Sequence, residues 1–183
     1  MPRIYMVRHA RAATGFGESM DPSLDALGKT QAEKLAAQLR SLGPFAILSS
    51  PLARARETAE PLAKYWNSEP AIEQALAEIP SPTSDLRARG AWLRGFMAGF
   101  WRNATPSLVG WRERAIAVLL SLPEDCVIFS HYIAINVAAG AALGDDRVVV
   151  FSPDNCSVTI FEVADGRLRM VEKGCDVALT KIN

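Results

Sequence analysis

Histidine is scarce in this sequence: 183 residues contain two. Cysteine is nearly as rare, and the three present (Cys126, Cys156 and Cys175) form no Cys-x-x-Cys pair. Two histidines without a cysteine motif make no good zinc site, so no metal or cofactor is expected. An odd cysteine count and no secretory leader ahead of the first strand point to a reducing cytoplasm. No apolar run approaches the ~20 residues that span a bilayer. The longest candidate, around Ile133 to Leu143, is short and rich in alanine and glycine. Formal net charge is zero, so no global field points to nucleic acid or a membrane surface. Internal repeats and low-complexity segments are absent. Nothing in the chain speaks to oligomeric state.

What is present is an ordinary globular composition, 49% hydrophobic and 22% charged, in the size range of one domain. The chain reads as a single domain over 1–183 with a small helical insertion at about 79–114. Arg3–Val7 is a short β-prone run, followed by a glycine- and serine-rich loop over 10–23. Apolar residues at helical spacing predict a helix over 25–41, stopped by Gly43-Pro44. A second strand is expected at Phe45–Leu48 and a helix from Arg54 to Trp66. After the proline-rich break at Ile79–Thr83, helices are expected over Asp85–Arg102 and Leu108–Leu122. Cys126–Phe129 reads as a strand and Tyr132–Leu143 as a helix. Arg147–Phe151, Val158–Val163 and Leu168–Glu172 read as final strands, the last two joined by an Asp165-Gly166 hairpin turn. Alternating strands and helices argue for an α/β fold: three layers, α/β/α, with a mostly parallel central sheet and an antiparallel edge.

Each histidine follows a strand at once, His9 after Val7-Arg8 and His131 after Phe129-Ser130. In such sheets the carboxyl ends of strands face the ligand crevice, so the two imidazoles can share one site. Arg8 stands beside His9, and Arg54 opens the helix after the second strand. Arginines at such junctions offer planar donors to phosphate oxygens, and a helix N-terminus adds backbone N–H groups. Arg56, by contrast, reads as a solvated surface charge, and Arg11 has that same bland reading open to it.

These segments resemble the histidine phosphatases of the phosphoglycerate-mutase-like superfamily. Arg8-His9 followed by a small residue is similar to their Arg-His-Gly signature. Leu24 through Gly28 to Gln31-Ala32 resembles their first helix start. Ser50-Pro51-Leu52-x-Arg54-Ala55-x-x-Thr58-Ala59 resembles their second phosphate-binding motif. Ser130-His131 fits their second histidine, and Asn155-Cys156-Ser157 has the family look. The matches run in order along nearly the whole chain. They depart from the pattern at Ala10, where glycine is usual, and at Tyr132 and Ile133, which replace small residues.

The resemblance implies a phosphoglycerate-mutase-like fold and a metal-independent phosphatase. His9 would be the nucleophile, with Arg8, Arg54 and a protonated His131 holding the phosphoryl oxygens and Tyr132 narrowing the mouth. A leaving alcohol needs a proton, and Glu78, in a Leu-x-Glu setting like the family's, is the candidate acid, with Asp85 as alternate. The substrate would be a small phosphomonoester or a phosphoprotein, including protein phosphohistidine. Two other readings stand beside it: a cofactor-dependent phosphoglycerate mutase, and a non-enzymatic phospholigand-binding protein suggested by Ala10 and Tyr132.

Residues 85–114 carry six arginines (87, 89, 94, 102, 112 and 114) against Asp85 and Glu113, a net +4 in a chain otherwise net −4. They also carry Trp92, Phe96, Phe100, Trp101 and Trp111. The arginines read either as a solvated helix face or as a rim attracting anionic substrate.

Overall fold

Strand β1 (Arg3–Arg8) is buried on both faces from Ile4 to Val7, and β4 (Cys126–Ser130) is buried along its whole length. Two such strands belong at the centre of a sheet covered on both sides. They pair in parallel, Ile4 opposite Cys126 through Arg8 opposite Ser130. The computed structural model describes residues 1–177. Within them β2 (Ala46–Ser49), β3 (Ala71–Ile72), β5 (Val158–Ala164) and β6 (Arg167–Glu172) complete a six-stranded sheet of order β3-β2-β4-β1-β5-β6. The first four of these are parallel; β5 and β6 join antiparallel. The expected α/β class with an antiparallel edge is what forms. Asp165 and Gly166 both take positive φ, as a two-residue hairpin turn requires.

Side-chain alternation sorts the core into two faces. Tyr5, Val7, Ile47, Val127 and Phe129 meet the apolar stripes of α1 (Ala26–Leu39) and α2 (Ala53–Trp66). Ile4, Met6, Cys126 and Ile128 face the other way, against Leu119 of α4 (Pro106–Ser121) and Ile135, Ala138 and Ala139 of α5 (Tyr132–Leu143). A helix buried all round, as α5 is from Ile133 to Gly140, needs small residues where backbones approach. Its alanines and Gly140 supply them. No helix among the described residues is long and apolar enough to cross a membrane.

Three local expectations are corrected. Arg147–Phe151 is not a strand. Arg147 makes one isolated bridge to Phe100, and the N–H groups of Val150 and Phe151 donate to the Asn136 side chain of α5 at 2.7 and 3.1 Å. A buried amide thus takes the place of a ladder partner. The helix expected to reach Arg102 ends at Met97: α3 is Leu86–Met97, and a separate 3₁₀ turn holds Trp101–Asn103. Between them Phe100 is extended, which lets Trp101 bury against Trp111 and Phe96. The two-residue edge strand β3 was not foreseen; exposed residues paired only with Leu48 and Ser49 carry no periodic signal.

Candidate active site

The parallel register of β1 and β4 sets the site. Arg8 lies opposite Ser130, so the next residues, His9 and His131, leave neighbouring strand ends side by side. The His9 N–H donates to the Ser130 carbonyl at 3.0 Å, and the two rings sit 5.2 Å apart, centroid to centroid. Beside them Ser50, directly beyond β2, lies 2.7 Å from Nε2 of His131, Oγ to nitrogen.

Two hydrogen bonds decide the tautomer of His9. Its Nδ1 lies 2.7 Å from the Ala10 carbonyl, which can only accept, so Nδ1 carries the proton. Its Nε2 receives the Nε–H of Arg54 at 3.2 Å, so Nε2 presents a lone pair. Burial, then Arg54 and Arg8, hold this imidazole down to about 3 against an ordinary 6.5. His131, fully buried, is lowered well below that range by burial and by His9, Arg54 and Arg8. These surroundings alone favour the neutral ring, against the positive charge expected on His131.

Arg8 donates to the Pro153 carbonyl at 2.8 Å and stacks 5.2 Å over the Tyr132 ring. The Tyr132 hydroxyl is tied to Ser152 Oγ at 2.9 Å, so this ring does line the cavity, as a fixed wall. Three buried nitrogens here lack any hydrogen-bond partner among the described residues: Nε of Arg8, Nη1 of Arg54 and Nδ1 of His131. Buried donors are nearly always paired. Two of the three belong to arginines that line the cavity with His9, and the third to the ring packed beside it.

Glu78 lines the same cavity, with Arg8 and Arg54. Burial pushes its carboxyl up, opposed by hydrogen bonds from the Ile79 and Ile133 N–H groups and by Arg54 and Arg8. The segment carrying it is held by Ser130, whose hydroxyl donates to the Leu76 carbonyl at 2.8 Å. Asp85, the alternate acid, is corrected: it is exposed, caps α3 by accepting from the Ala88 N–H, and does not line the cavity.

The remaining motif residues act through the loop after β1. Thr58 accepts from the Ala10 N–H at 3.0 Å and donates to the Arg54 carbonyl at 2.6 Å, joining the His9 loop to the start of α2. Gln31 accepts from the Arg11 N–H. A Cβ on Gly28 would lie 2.1 Å from the Arg11 carbonyl, which is why glycine stands there. Among the described residues, the non-glycine positions with positive φ are Asn67, Cys156 and Asp165, so Ala10 occupies a backbone any residue tolerates. Its substitution for glycine costs the loop nothing. Sequence reasoning missed Ser50 and Asp21 as site neighbours. Asp21 accepts from the Ala53 N–H at 2.8 Å and lies 3.7 Å from Arg54 Nη1. No group of three His, Cys, Asp or Glu side chains among the described residues is placed to hold a metal ion.

The profile of the histidine phosphatase superfamily (branch 1) matches residues 4–176. The chain belongs to the histidine phosphatase superfamily. Among relatives of this histidine phosphatase family member, the probable phosphoglycerate mutase GpmB of Erwinia tasmaniensis is 26% identical over 163 residues, covering 79% of this chain and 76% of that protein. The protein of the same description from Proteus mirabilis is 28% identical over the same span and coverage. Among solved structures, a mutant phosphoserine phosphatase from Entamoeba histolytica in complex with phosphoserine superposes with a TM-score of 0.75 at 22% identity, covering 94% of this chain and 96% of that one. A mycobacterial glucosyl-3-phosphoglycerate phosphatase in complex with VO3 gives 0.74 at 22% identity, covering 97% and 100%. At that identity the structures establish the shared fold.

Proposed function

We propose that this protein is a metal-independent phosphatase that hydrolyses a phosphomonoester through a phosphohistidine on His9. The observation that carries the reading is a phosphoryl socket in which the lone pair on His9 Nε2 stands beside buried nitrogens of Arg8, Arg54 and His131 that have no hydrogen bond among the described residues. In the first step the Nε2 lone pair attacks phosphorus and the bond to the leaving oxygen breaks. The Glu78 carboxyl proton passes to that oxygen and the alcohol departs. A raised Glu78 pKa suits it to carry that proton. The Nδ1–H bond to the Ala10 carbonyl supports the positive charge that the ring acquires. In the second step water attacks phosphorus, the Glu78 carboxylate takes its proton, and the N–P bond breaks to release inorganic phosphate. Both transition states spread charge over equatorial oxygens, where Arg8, Arg54 and His131 act, the last taking a proton from solvent as the bound anion favours its charged form.

Cys156, which feels the Arg8 charge, is no competing nucleophile: burial pushes its thiol up to about 12, so no thiolate forms near neutrality. We read residues 1–183 as one catalytic domain, with 79–114 as an insertion forming part of the wall, in a cytoplasmic protein. The reading is tested by turnover of p-nitrophenyl phosphate and by rapid quenching with labelled substrate. Wild-type protein should yield an acid-labile, base-stable phosphoenzyme and His9→Ala none. Equal labelling of that variant would move the nucleophile elsewhere. The names of the curated relatives favour phosphoglycerate mutase as second reading, in which the phosphoryl group returns to a bound acceptor instead of water. Mutase assay with and without 2,3-bisphosphoglycerate separates the two.

A further inference from the structure

Beyond the phosphoryl socket the cavity extends to about 840 Å³, within the range of small-molecule sites and far larger than a phosphate needs. One wall of that remainder is apolar. Phe16 and Met20 come from the loop after β1, Leu93 and Met97 from α3, and Tyr132 and Ile133 from the start of α5. Leu93 and Met97 are four apart on one helix face, and Arg89, four residues earlier, continues the same stripe.

The arginines that could have made this wall cationic do other things. Arg87, Arg94, Arg102 and Arg114 are exposed, Arg102 pairs with Asp146, and Arg112 lies over Trp101. Arg89 is the one that turns inward, 6% exposed. It lies 3.8 Å over the Phe16 ring and donates to the Ser19 carbonyl at 3.3 Å and Met20 sulfur at 3.0 Å. Its charge holds two apolar side chains in the wall. The loop sits flush on α3 beside it: a Cβ on Gly17 would meet the Leu86 carbonyl at 3.2 Å and the Gly90 Cα at 3.5 Å.

Among the described residues, the cations lining the cavity outside the socket reduce to Arg11, whose Nε donates to Asp25 at 2.6 Å. Glu18 adds a second carboxylate to the same rim. A substrate bearing a carboxylate or second phosphate there would meet one paired cation and two acids. Of the uncharged polar side chains, Ser152 is engaged with Tyr132 and Asn155 with the His9 carbonyl, and Thr14 and Ser19 belong to the loop at the rim.

We infer that the leaving group is apolar: the site takes an aryl or medium-chain alkyl phosphomonoester in preference to a phosphorylated hydroxy acid, sugar or bisphosphate. This deepens the phosphatase reading and rests on it for the position of the phosphoryl group, while the wall can be tested without turnover. Isothermal titration with non-hydrolysable phosphonates does so. Butylphosphonate should bind wild-type protein at least about tenfold tighter than 3-phosphonopropionate, which has nearly the same shape with a terminal carboxylate. Lengthening to hexylphosphonate should add up to about fourfold per buried methylene. Leu93→Gln with Met97→Gln should shrink that preference severalfold, and Leu93→Met should keep it. Equal or tighter binding of 3-phosphonopropionate overturns the inference. Turnover of hexyl phosphate against 3-phosphoglycerate by the wild-type enzyme separates the two claims. Phosphonates binding in the expected order with no ester hydrolysed sinks the phosphatase reading and leaves the apolar wall standing. Faster hydrolysis of 3-phosphoglycerate sinks the inference and leaves the phosphatase.

Discussion

Arg54 donates its Nε–H across 3.2 Å to Nε2 of His9, the nitrogen proposed as nucleophile. One guanidinium thus has two connected effects. It holds Nε2 unprotonated, and its own Nη1 stays buried without a hydrogen bond among the described residues, 3.7 Å from Asp21. Under the proposed mechanism this contact must yield before Nε2 can reach phosphorus.

Replacing Arg54 removes both effects. Arg54→Gln should lower kcat/KM by about a hundred- to a thousandfold, the usual loss for one donor to a developing oxyanion. Arg54→Lys should recover only part, since a point charge cannot bridge Nε2 and an oxygen with a planar fork. Steady-state kinetics with circular dichroism as a fold check decides it. Full activity in Arg54→Lys would reduce the residue to a bulk positive charge.

The same contact has a pH signature. His9 is lowered to about 3 by burial, Arg54 and Arg8, so its protonation should not cut kcat/KM near 6.5 but well below it. Arg54→Gln should move the acid limb upward, toward 6.5. The sign for stability follows from linkage. The unfolded chain takes up a proton on each histidine near 6.5, while the folded one resists until far lower pH. Stability should therefore fall as pH drops from about 6.5 through that window. A pH series of denaturant midpoints for wild type and His9→Gln measures it, and the variant should lose less.

Glu78 is raised by burial and should donate its proton where the leaving group is poor. Glu78→Gln should slow alkyl phosphate hydrolysis by about a hundredfold or more and p-nitrophenyl phosphate hydrolysis far less. On the alkaline side wild-type kcat should fall as the Glu78 proton is lost, and the glutamine variant should not show that limb. Equal loss on both substrates would assign Glu78 to binding or folding.

Ser50 is fully buried against His131 Nε2 and also accepts from the Leu52 N–H at 3.2 Å. Ser50→Ala strands a ring nitrogen in the core, at a cost of about 1–3 kcal/mol. In a chain of this size that lowers Tm by about 2–4 °C per kcal/mol. Because the ring loses its orienting partner, kcat should fall along with stability. Calorimetry showing the Tm loss with kcat unchanged would confine Ser50 to packing.

The features readable in one dimension were those with local causes. Strands β1 and β4 read as short apolar runs, and the helix expected from about Tyr132 to Leu143 is α5. The motif residues around His9, Arg54 and His131 were legible because a strand end, a helix start and a small neighbour leave marks within a few positions. Glycine at 28 could be noticed in the same way, but its reason, the Arg11 carbonyl, lies across the fold.

Other features exist only once distant segments meet. Arg147–Phe151 has the composition of a strand, yet Asn136 claims its N–H groups, and no local pattern encodes a side chain arriving from another helix. Glu78 and Asp85 look alike as loop carboxylates. Ser130 holds the segment of one near the sheet end, and the cap of α3 turns the other outward. Six arginines in one stretch are chemically equal until packing against Phe16 and Met20 draws Arg89 alone inward. Residue type and spacing set which groups were on hand. The register between β1 and β4, and the burial it brings, set which nitrogen of His9 holds the proton and which faces phosphorus, because a tautomer is chosen by partners that come together only in three dimensions.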